Sequence, residues 1–231
     1  MRFEERVVSI TGASQGLGAV TARKFADEGA TVVLNDLEIQ GARRLVDAIR
    51  EVGGEALALE ADVTNRAQVQ QMIRAVLAAY GRIDILVNNA GALRDRPLTE
   101  MTEQDWNLVV DVSLKGSFLC SQAVAPPMIE QRSGKIVNIS SGSAYGSVNG
   151  QANYASAKAG ILGLTRTLAL ELGPHNINVN AVAPGTIDIG MSVRSAELKG
   201  MDVKDYMARL AAIIPLRRVG QPQEVANVVC F

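Results

Sequence analysis

The sequence is poor in the residues that many kinds of functional site require. It has two cysteines, Cys120 and Cys230, and a single histidine, His175. These are too few for a disulfide scaffold, and they leave almost no material for a cysteine–histidine zinc site or a histidine-based catalytic triad. We therefore expect no metal site, and any acid–base chemistry must use other groups.

An excess of charge of either sign is also lacking. Twenty-three basic and 24 acidic side chains give a net charge of -1, which offers no electrostatic basis for gripping nucleic acid or an anionic membrane. No stretch approaches the roughly 20 consecutive apolar residues of a membrane-spanning helix, and no secretory or transit pattern precedes the first apolar run. The sequence predicts a cytoplasmic protein that binds neither nucleic acid nor membranes.

Short apolar runs alternate with segments whose apolar residues recur at helical spacing. The length of 231 residues, 48% of them hydrophobic, suits one α/β domain spanning residues 1–231. The alternation predicts a doubly wound parallel sheet with helices on both faces. Pro126 and Pro127 fall late in the long helical segment 106–131 and are expected to kink or break that helix. The predicted strands are 7–11, 31–35, 55–60, 83–88, 134–140 and 177–183.

The first predicted strand runs into a glycine-rich turn, residues 11–18, which is followed by a helix. Glycine lets the backbone bend tightly and approach a ligand, and the helix N-terminus offers N–H groups to a pyrophosphate. A turn that only lets strand and helix pack is the alternative. The predicted cofactor-binding residues in this turn are Gly12, Ser14, Gln15, Gly16, Leu17 and Gly18.

Acidic residues follow the second and third predicted strands. Asp36 can accept hydrogen bonds from the adenosine ribose hydroxyls, and its carboxylate would repel a 2′-phosphate. Because no Arg or Lys lies in the glycine turn, NAD is favoured over NADP. Asp62 and Val63 are predicted to meet the adenine. A solvated aspartate at position 36, and a helix cap at position 62, are the alternatives.

Tyr154 and Lys158 stand four residues apart at the start of a predicted helix, so both side chains project from one face. An adjacent ammonium stabilises a phenolate, and we expect Lys158 to lower the pKa of Tyr154. Tyr154 can then donate or accept a proton, a role that histidine often has. Ser141, at the end of the fifth strand, is expected to converge with Tyr154 on one substrate oxygen. A chance Tyr–Lys pair on an exposed helix face is the alternative.

These motifs occur together in a known family. TGASQGLG (11–18), NNAG (88–91), Ser141, YASAK (154–158) and PGTI (184–187) have the order and spacing of the short-chain dehydrogenase/reductase family. The sequence resembles this family over essentially its whole length, and is most similar to the beta-ketoacyl carrier-protein reductase group and related alcohol dehydrogenases. The resemblance implies a Rossmann-type fold with seven strands, and hydride transfer between nicotinamide and a carbonyl or secondary alcohol.

The resemblance also assigns roles. It implies that Tyr154 is the acid/base, that Lys158 holds the ribose and lowers the tyrosine pKa, and that Ser141 orients the substrate oxygen. A substrate lid is expected around residues 188–214, where Met191, Met201 and Met207 lie, and a homodimer or homotetramer is expected. The residues implied to line the cofactor cleft are Asn89, Ala90, Gly91, Pro184, Gly185 and Ile187, together with Tyr154 and Lys158.

The sequence departs from the family pattern in three places. Ser113 stands where the family usually has an asparagine of the proton relay, so we expect a slower or rerouted proton step. Ile189 stands where a threonine often binds the carboxamide, which puts that contact in doubt. The sequence ends at Phe231, within the helix before the family's seventh strand, and that strand is expected to be absent.

The function predicted from the sequence is an NAD-dependent oxidoreductase that acts on a small-molecule secondary alcohol or ketone. A 3-oxoacyl-[acyl-carrier-protein] reductase is the alternative within the family. A weakly catalytic nucleotide-binding sensor or scaffold, suggested by Ser113 and Ile189, is the alternative outside enzymology.

Overall fold

Six parallel strands form one sheet in the computed structural model, which describes residues 1–146, 149–189, 196 and 200–231. The strand order is β3-β2-β1-β4-β5-β6. The strands are β1 (Val7–Thr11), β2 (Thr31–Asp36), β3 (Glu55–Glu60), β4 (Ile85–Asn88), β5 (Gly134–Ile139) and β6 (Ile177–Val182). The predicted doubly wound sheet is confirmed, and all six strands lie where the apolar runs predicted them.

Helices connect the strands and cover both faces of the sheet. The first three helices end at or beside Gly29, Gly53 and Gly81. The helices are α1 (Gly16–Asp27), α2 (Ile39–Glu51), α3 (Arg66–Tyr80), α4 (Glu103–Val110), α5 (Gly116–Gln131), α6 (Ala152–Leu172), α7 (Val203–Ile213) and α8 (Pro222–Val229). A π-helical turn, Asp111–Lys115, joins α4 to α5, and 3₁₀ turns occupy Gly142–Ala144 and Gly173–His175.

Two hydrophobic clusters lie on opposite faces of the sheet. Val32 and Leu34 of β2 belong to the cluster beneath α1, α2 and α8, whereas Val33 between them belongs to the cluster beneath α3 and α5. Successive side chains of a strand point to opposite faces. Because both faces are covered, the strands read as continuous apolar runs, and this is why the sequence located them.

The two prolines do not break α5. The helix runs from Gly116 to Gln131 with Pro126 and Pro127 inside it, so the predicted break is wrong. Each proline removes the N–H that would bond to the carbonyl four residues earlier. Pro126 lies on the exposed side of the helix, where water can bond to the freed carbonyl. Val124 and Met128, both fully buried, hold the last turns against the sheet.

The continuous helical stretch 103–131 is long and apolar enough, by length and composition alone, to cross a membrane. Leu119, Val124 and Met128 from this stretch are buried in the cluster on the α3 side of the sheet. Core helices pass the same test of length and composition, so the apolar character of this stretch is explained by its packing.

The strand order reverses between β1 and β4. From β1 the chain proceeds outward to β3, and it then returns to β4, which pairs with β1 on the other side: Val8 aligns with Val32 of β2 and with Ile85 of β4. The connections after β1 and β4 therefore diverge toward opposite faces. A crevice forms at such a point, at the carboxyl ends of the strands, and ligands of open α/β sheets bind there.

The central strands should dominate stability. Ile136 of β5 is fully buried, so Ile136→Ala removes buried methyl groups and leaves a cavity, and we expect it to lower the free energy of unfolding by about 2–5 kcal/mol. Val52 is 79% exposed, and Val52→Ala should change this energy by less than about 0.5 kcal/mol. Urea denaturation measures both; equal effects would contradict the assignment of the core.

Candidate functional site

The parallel sheet brings the loops that follow its strands to one edge. These loops carry every segment that the sequence analysis assigned to the cofactor or to catalysis except Tyr154 and Lys158, which lie on α6, Ser113 and the lid. They are the glycine turn after β1, Asp36 at the end of β2, Asp62 after β3, Asn89 to Gly91 after β4, Ser141 after β5, and Pro184 to Ile187 after β6. Segments that are far apart in sequence thus face the same crevice.

The glycine turn is hydrogen-bonded to the loop after β4. The Asn89 side-chain amide donates to the carbonyl oxygens of Thr11 (2.9 Å) and Gly12 (2.8 Å). The Thr11 hydroxyl accepts hydrogen bonds from the backbone N–H groups of Asn89 (3.1 Å) and Ala90 (3.0 Å). Asn89 therefore holds the turn in place, a structural role that the sequence analysis did not assign to it.

Three glycines of the turn have different environments. A Cβ at Gly18 would lie 2.2 Å from the Gly12 carbonyl oxygen, and one at Gly12 would lie 2.8 Å from the Ala90 Cα, so packing alone requires glycine at both positions. At Gly16, where φ is +57°, no described atom lies within 4 Å of the added Cβ. The packing alternative thus holds for Gly12 and Gly18, while Gly16 leaves open space at the start of α1.

This open space suits a phosphate group. Within the described residues, the Gln15 side chain makes no capping hydrogen bond to the first turn of α1, which leaves that end of the helix available to an anion. An open crevice of about 510 Å³ touches the first turn of α1 at Gly16 and Ala19 and is also lined by Leu45 of α2 and by Asp188 and Ile189. The open space at Gly16 and the uncapped N-terminus of α1 fit the pyrophosphate of a dinucleotide.

Asp36 is fixed beside the turn. One carboxylate oxygen accepts a hydrogen bond from the backbone N–H of Ser14 (2.9 Å), and the other accepts one from the N–H of Glu38 (3.0 Å). The carboxylate is thus not a freely solvated group at the start of a loop. It places a negative charge next to the glycine turn, where the sequence analysis expected the ribose.

Asp62 and Val63 have local structural contacts. The Asp62 carboxylate accepts from the backbone N–H of Thr64 (2.8 Å), whereas the cap of α3 is Asn65. Val63 is buried against Gly116, where an added Cβ would lie 2.8 Å from its methyl group. These contacts explain both residues without a ligand, and their contact with adenine stays a prediction.

Tyr154 and Lys158 lie on one face of the first turns of α6, as the spacing predicted. The Lys158 ammonium is 5.6 Å from the centre of the Tyr154 ring and donates to the Ile139 carbonyl oxygen at 2.7 Å. The Ser141 hydroxyl lies beside the Tyr154 phenol and acts to lower its pKa. A Cβ at Gly91 would lie 3.6 Å from the Lys158 nitrogen, so the loop that holds the glycine turn also adjoins this group.

The pKa values of the pair are set mainly by burial. Burial lowers the pKa of Lys158 to about 8. The pKa of Tyr154 is raised, because burial disfavours the phenolate more than the Ser141 hydroxyl favours the phenolate. The carboxylate of Asp95 also raises this pKa. The expectation that Lys158 lowers the pKa of Tyr154 is therefore wrong for this structure. The ammonium is directed to the Ile139 carbonyl, and desolvation of the phenol dominates.

Ser113 lies in the π-helical turn and is fully buried. Its hydroxyl has no hydrogen-bond partner among the described residues, and it would lie 3.6 Å from a Cβ at Gly91. Its backbone carbonyl accepts a hydrogen bond from the Ser117 hydroxyl (2.7 Å). Ser113 is thus near Lys158, as expected for a member of a proton relay. Within the described residues, however, the Ser113 side chain makes no hydrogen bond to Lys158.

The loop after β6 is anchored at both ends. The Pro184 carbonyl accepts from the Gly142 N–H (2.7 Å), which ties this loop to the loop that carries Ser141. Ile187 forms a parallel bridge with Gly220, and Gly185 is exposed between these two contacts.

The predicted lid, residues 188–214, lies partly outside the described residues, and Met191 lies entirely outside them. Met201 and Met207 are partly buried, and α7 contains Met207. A role for residues 188–214 in covering substrate stays a prediction.

Three polar residues beside Tyr154 were missed by the sequence analysis: Asp95, Ser143 and Gln151. Gln151 donates to Asp95 (2.9 Å) and accepts from the Ser143 hydroxyl (3.1 Å). The only signal in the sequence was their position, just after NNAG or just before Tyr154, and this does not show that they meet.

Comparison with known proteins identifies the family. The model of the short chain dehydrogenase family matches residues 6–199. A 3-oxoacyl-[acyl-carrier-protein] reductase FabG from Thermotoga maritima is 45% identical, with 100% of this chain and 91% of the relative covered. The chain belongs to the short-chain dehydrogenase/reductase family. Its members are oxidoreductases that act on CH–OH groups with a nicotinamide cofactor, so the family and enzyme class predicted from the motifs are confirmed.

Other members of the short-chain dehydrogenase/reductase family have different named activities. The (2S)-[(R)-hydroxy(phenyl)methyl]succinyl-CoA dehydrogenase subunit BbsD of Thauera aromatica is 43% identical over 100% of this chain and 90% of its own. Among solved structures, an NAD⁺-bound xylitol dehydrogenase has a TM-score of 0.95 at 32% identity, covering 100% of this chain and 93% of its own. A levodione reductase has a TM-score of 0.95 at 35% identity, covering 99% and 90%.

The close contacts of Gly18 lead to a test. Gly18→Ala places a Cβ against the Gly12 carbonyl and the Asn89 amide, so the turn must shift. We expect NADH affinity, measured by fluorescence titration, to fall at least about tenfold, and thermal stability to fall as well. Gly163 lies within α6, where no described atom is within 4 Å of an added Cβ. Gly163→Ala should leave NADH binding unchanged; the same loss there would show that Gly18 is not special.

Proposed function

We propose that the protein is an NAD-dependent oxidoreductase that transfers a hydride between nicotinamide and a secondary alcohol or ketone, with Tyr154 as the general acid and base. The observation that carries the proposal is the position of Gly91. It follows the residues that lock the glycine turn, and it lies against Lys158. A dinucleotide with its pyrophosphate at the glycine turn would thus extend past this loop toward Tyr154.

In the reductive direction, bound nicotinamide supplies the hydride that reaches the carbonyl carbon. Tyr154 gives its phenolic proton to the carbonyl oxygen, and the Ser141 hydroxyl donates a hydrogen bond to the same oxygen, which stabilises the developing negative charge. In oxidation, Tyr154 accepts the proton of the alcohol. Lys158 would bind the nicotinamide ribose, and the positive charge of an oxidised nicotinamide would favour the phenolate.

The preference for NAD rests on Asp36. Its carboxylate is held by two backbone N–H groups beside the glycine turn, so it cannot swing away to admit a second anion. A 2′-phosphate at the ribose would meet this charge at short range, and the turn contains no basic side chain to offset it. NADP is the alternative cofactor.

The substrate is a small alcohol or ketone. Relatives named as 3-oxoacyl-[acyl-carrier-protein] reductases, including the one from Thermotoga maritima, favour that activity as a second candidate. Activity with 3-oxoacyl thioesters, xylitol and levodione separates the candidates. A sensor or scaffold would bind NADH and turn over none of them.

Three further sequence predictions belong to the proposal. Ser113 contributes to proton transfer behind Lys158 with a hydroxyl in place of an amide, which slows or reroutes that step. The protein acts in the cytoplasm. It assembles as a homodimer or homotetramer, which size-exclusion chromatography with light scattering measures.

Removal of the Tyr154 hydroxyl tests the mechanism. Tyr154→Phe keeps the ring but cannot transfer a proton, so we expect kcat to fall about 10²–10⁴-fold while NADH still binds. Tyr80, at the end of α3, is the control, and Tyr80→Phe should retain the wild-type rate. A Tyr154→Phe enzyme with a near wild-type rate would exclude Tyr154 as the acid/base.

The cofactor preference is tested separately. Asp36→Ala removes the negative charge next to the ribose, so the ratio of NADP to NAD affinity should rise at least about tenfold, measured by titration with both reduced cofactors. Asp27, an exposed carboxylate at the other end of α1, gives the control, since Asp27→Ala should not alter the ratio. Equal affinities for both cofactors in the unaltered protein would refute the preference.

A further inference from the structure

A carboxylate is connected by a chain of hydrogen bonds to Ser141, which lies beside the proposed acid/base. Asp95, in the loop after β4, accepts from the Gln151 side-chain amide at 2.9 Å. The carbonyl oxygen of the same Gln151 amide accepts from the Ser143 hydroxyl at 3.1 Å. Both polar ends of Gln151 are thus used, and its orientation is fixed by its two partners.

The chain continues to Ser141, beside the phenol. The backbone N–H of Ser143 donates to the Ser141 hydroxyl oxygen at 3.2 Å, and the Ser141 hydroxyl acts on the pKa of Tyr154. Ser143 is hydrogen-bonded to Gln151 through its side chain and to Ser141 through its backbone. A shift of Gln151 would therefore be transmitted to Ser141.

The loop that carries Asp95 is tied to the start of α6 independently of this chain. The Arg96 N–H donates to the Gly150 carbonyl at 2.8 Å. Asn153, fully buried, donates through its side chain to the carbonyl oxygens of Arg94 (2.9 Å) and Asp105 (3.1 Å). Residues on either side of Asp95 are therefore anchored, and the carboxylate is presented to Gln151 by its backbone.

Two charged groups act on the phenol from different elements. Asp95 approaches from the loop after β4 and Lys158 from α6, while the loop after β5 contributes the uncharged Ser141 and Ser143. The Asp95 carboxylate opposes ionisation of the phenol and raises the pKa of Tyr154. Burial is the larger cause of the raised pKa of Tyr154, and the charge of Asp95 adds to it.

We propose that Asp95, acting through Gln151 and Ser143, is a positioning residue that holds Ser141 and Tyr154 in the geometry for proton transfer. The inference rests on the proposed function. Its consequence is that the negative charge of Asp95 also raises the pKa of Tyr154, so the phenol is a weaker acid than it would be beside a neutral residue. No side chain of this relay other than Ser141 and Tyr154 needs to touch the substrate.

Asp95→Asn separates charge from shape, because an asparagine oxygen can still accept the Gln151 hydrogen bond. Tyr154 ionisation is followed by NMR on protein with tyrosine isotope-labelled at the ring carbon that bears the hydroxyl. The chain has four tyrosines, and the signal absent from Tyr154→Phe identifies Tyr154. Removal of the negative charge should move the Tyr154 titration to lower pH.

Glu100→Gln is the matched control. It neutralises an exposed carboxylate further along the same loop and should leave the titration of Tyr154 in place. A titration that does not move in Asp95→Asn, or moves no further than in Glu100→Gln, overturns the effect of the Asp95 charge on Tyr154. This measurement needs no substrate, so it still reports on the relay if Tyr154→Phe proves active and the proposed function fails.

Ser143 gives a second test that does not depend on charge. Ser143→Ala breaks the link to Gln151, so kcat should fall about tenfold or more as Ser141 loses its support, while KM and NADH affinity stay within about twofold. Ser143→Thr keeps the hydroxyl and should restore most of kcat. Rates are measured with acetoacetyl-CoA, xylitol or levodione, whichever is turned over. An Ala variant with unchanged kcat, or a Thr variant no better than Ala, contradicts the relay.

Discussion

The hydrogen bonds between Thr11 and Asn89 are the constraint on which the rest of the site depends. They join the loops after β1 and β4 where the strand order reverses and the two connections would otherwise diverge. The turn is also closely packed, because the Gly12 carbonyl oxygen occupies the space beside Gly18. The same loop then reaches Lys158 through Gly91. One set of hydrogen bonds between side chains and backbone therefore fixes the glycine turn relative to the loop that adjoins Lys158.

Burial reverses the usual order of acidity of Tyr154 and Lys158. The pKa of Lys158 is lowered to about 8, while that of Tyr154 is raised above its ordinary value. The ammonium is consequently the stronger acid of the pair. In the proposed mechanism, a phenolate left after proton donation would be reprotonated from the side of Lys158, and Ser113 is buried near Lys158.

The sequence was sufficient wherever the structure follows from strands and their ends. Apolar runs located all six strands because helices cover both faces, and parallel pairing then placed Asp36, Ser141 and the glycine turn at one edge. It was insufficient where contacts between distant segments decide. Buried neighbours hold Pro126 within an intact helix, and Asp95 meets Gln151 across 56 positions of sequence. No local spacing encodes such a contact, nor does it encode the burial that raises the pKa of Tyr154.

In this fold the sheet and the loops have different roles, since the sheet positions the site and the loops surround the substrate. Relatives with almost superimposable backbones have names that refer to quite different compounds, so the strand ends cannot select the substrate. Selection must come from the loops that surround the catalytic hydroxyls. The chain from Asp95 to Ser141 passes through two of these loops, and a substrate that displaces either loop also changes the support of Ser141. In the proposed relay, proton transfer therefore depends on the positions of these two loops. Substrate selection and reaction rate are then linked, although no single residue has to contact both the substrate-selecting part of a loop and the transferred proton.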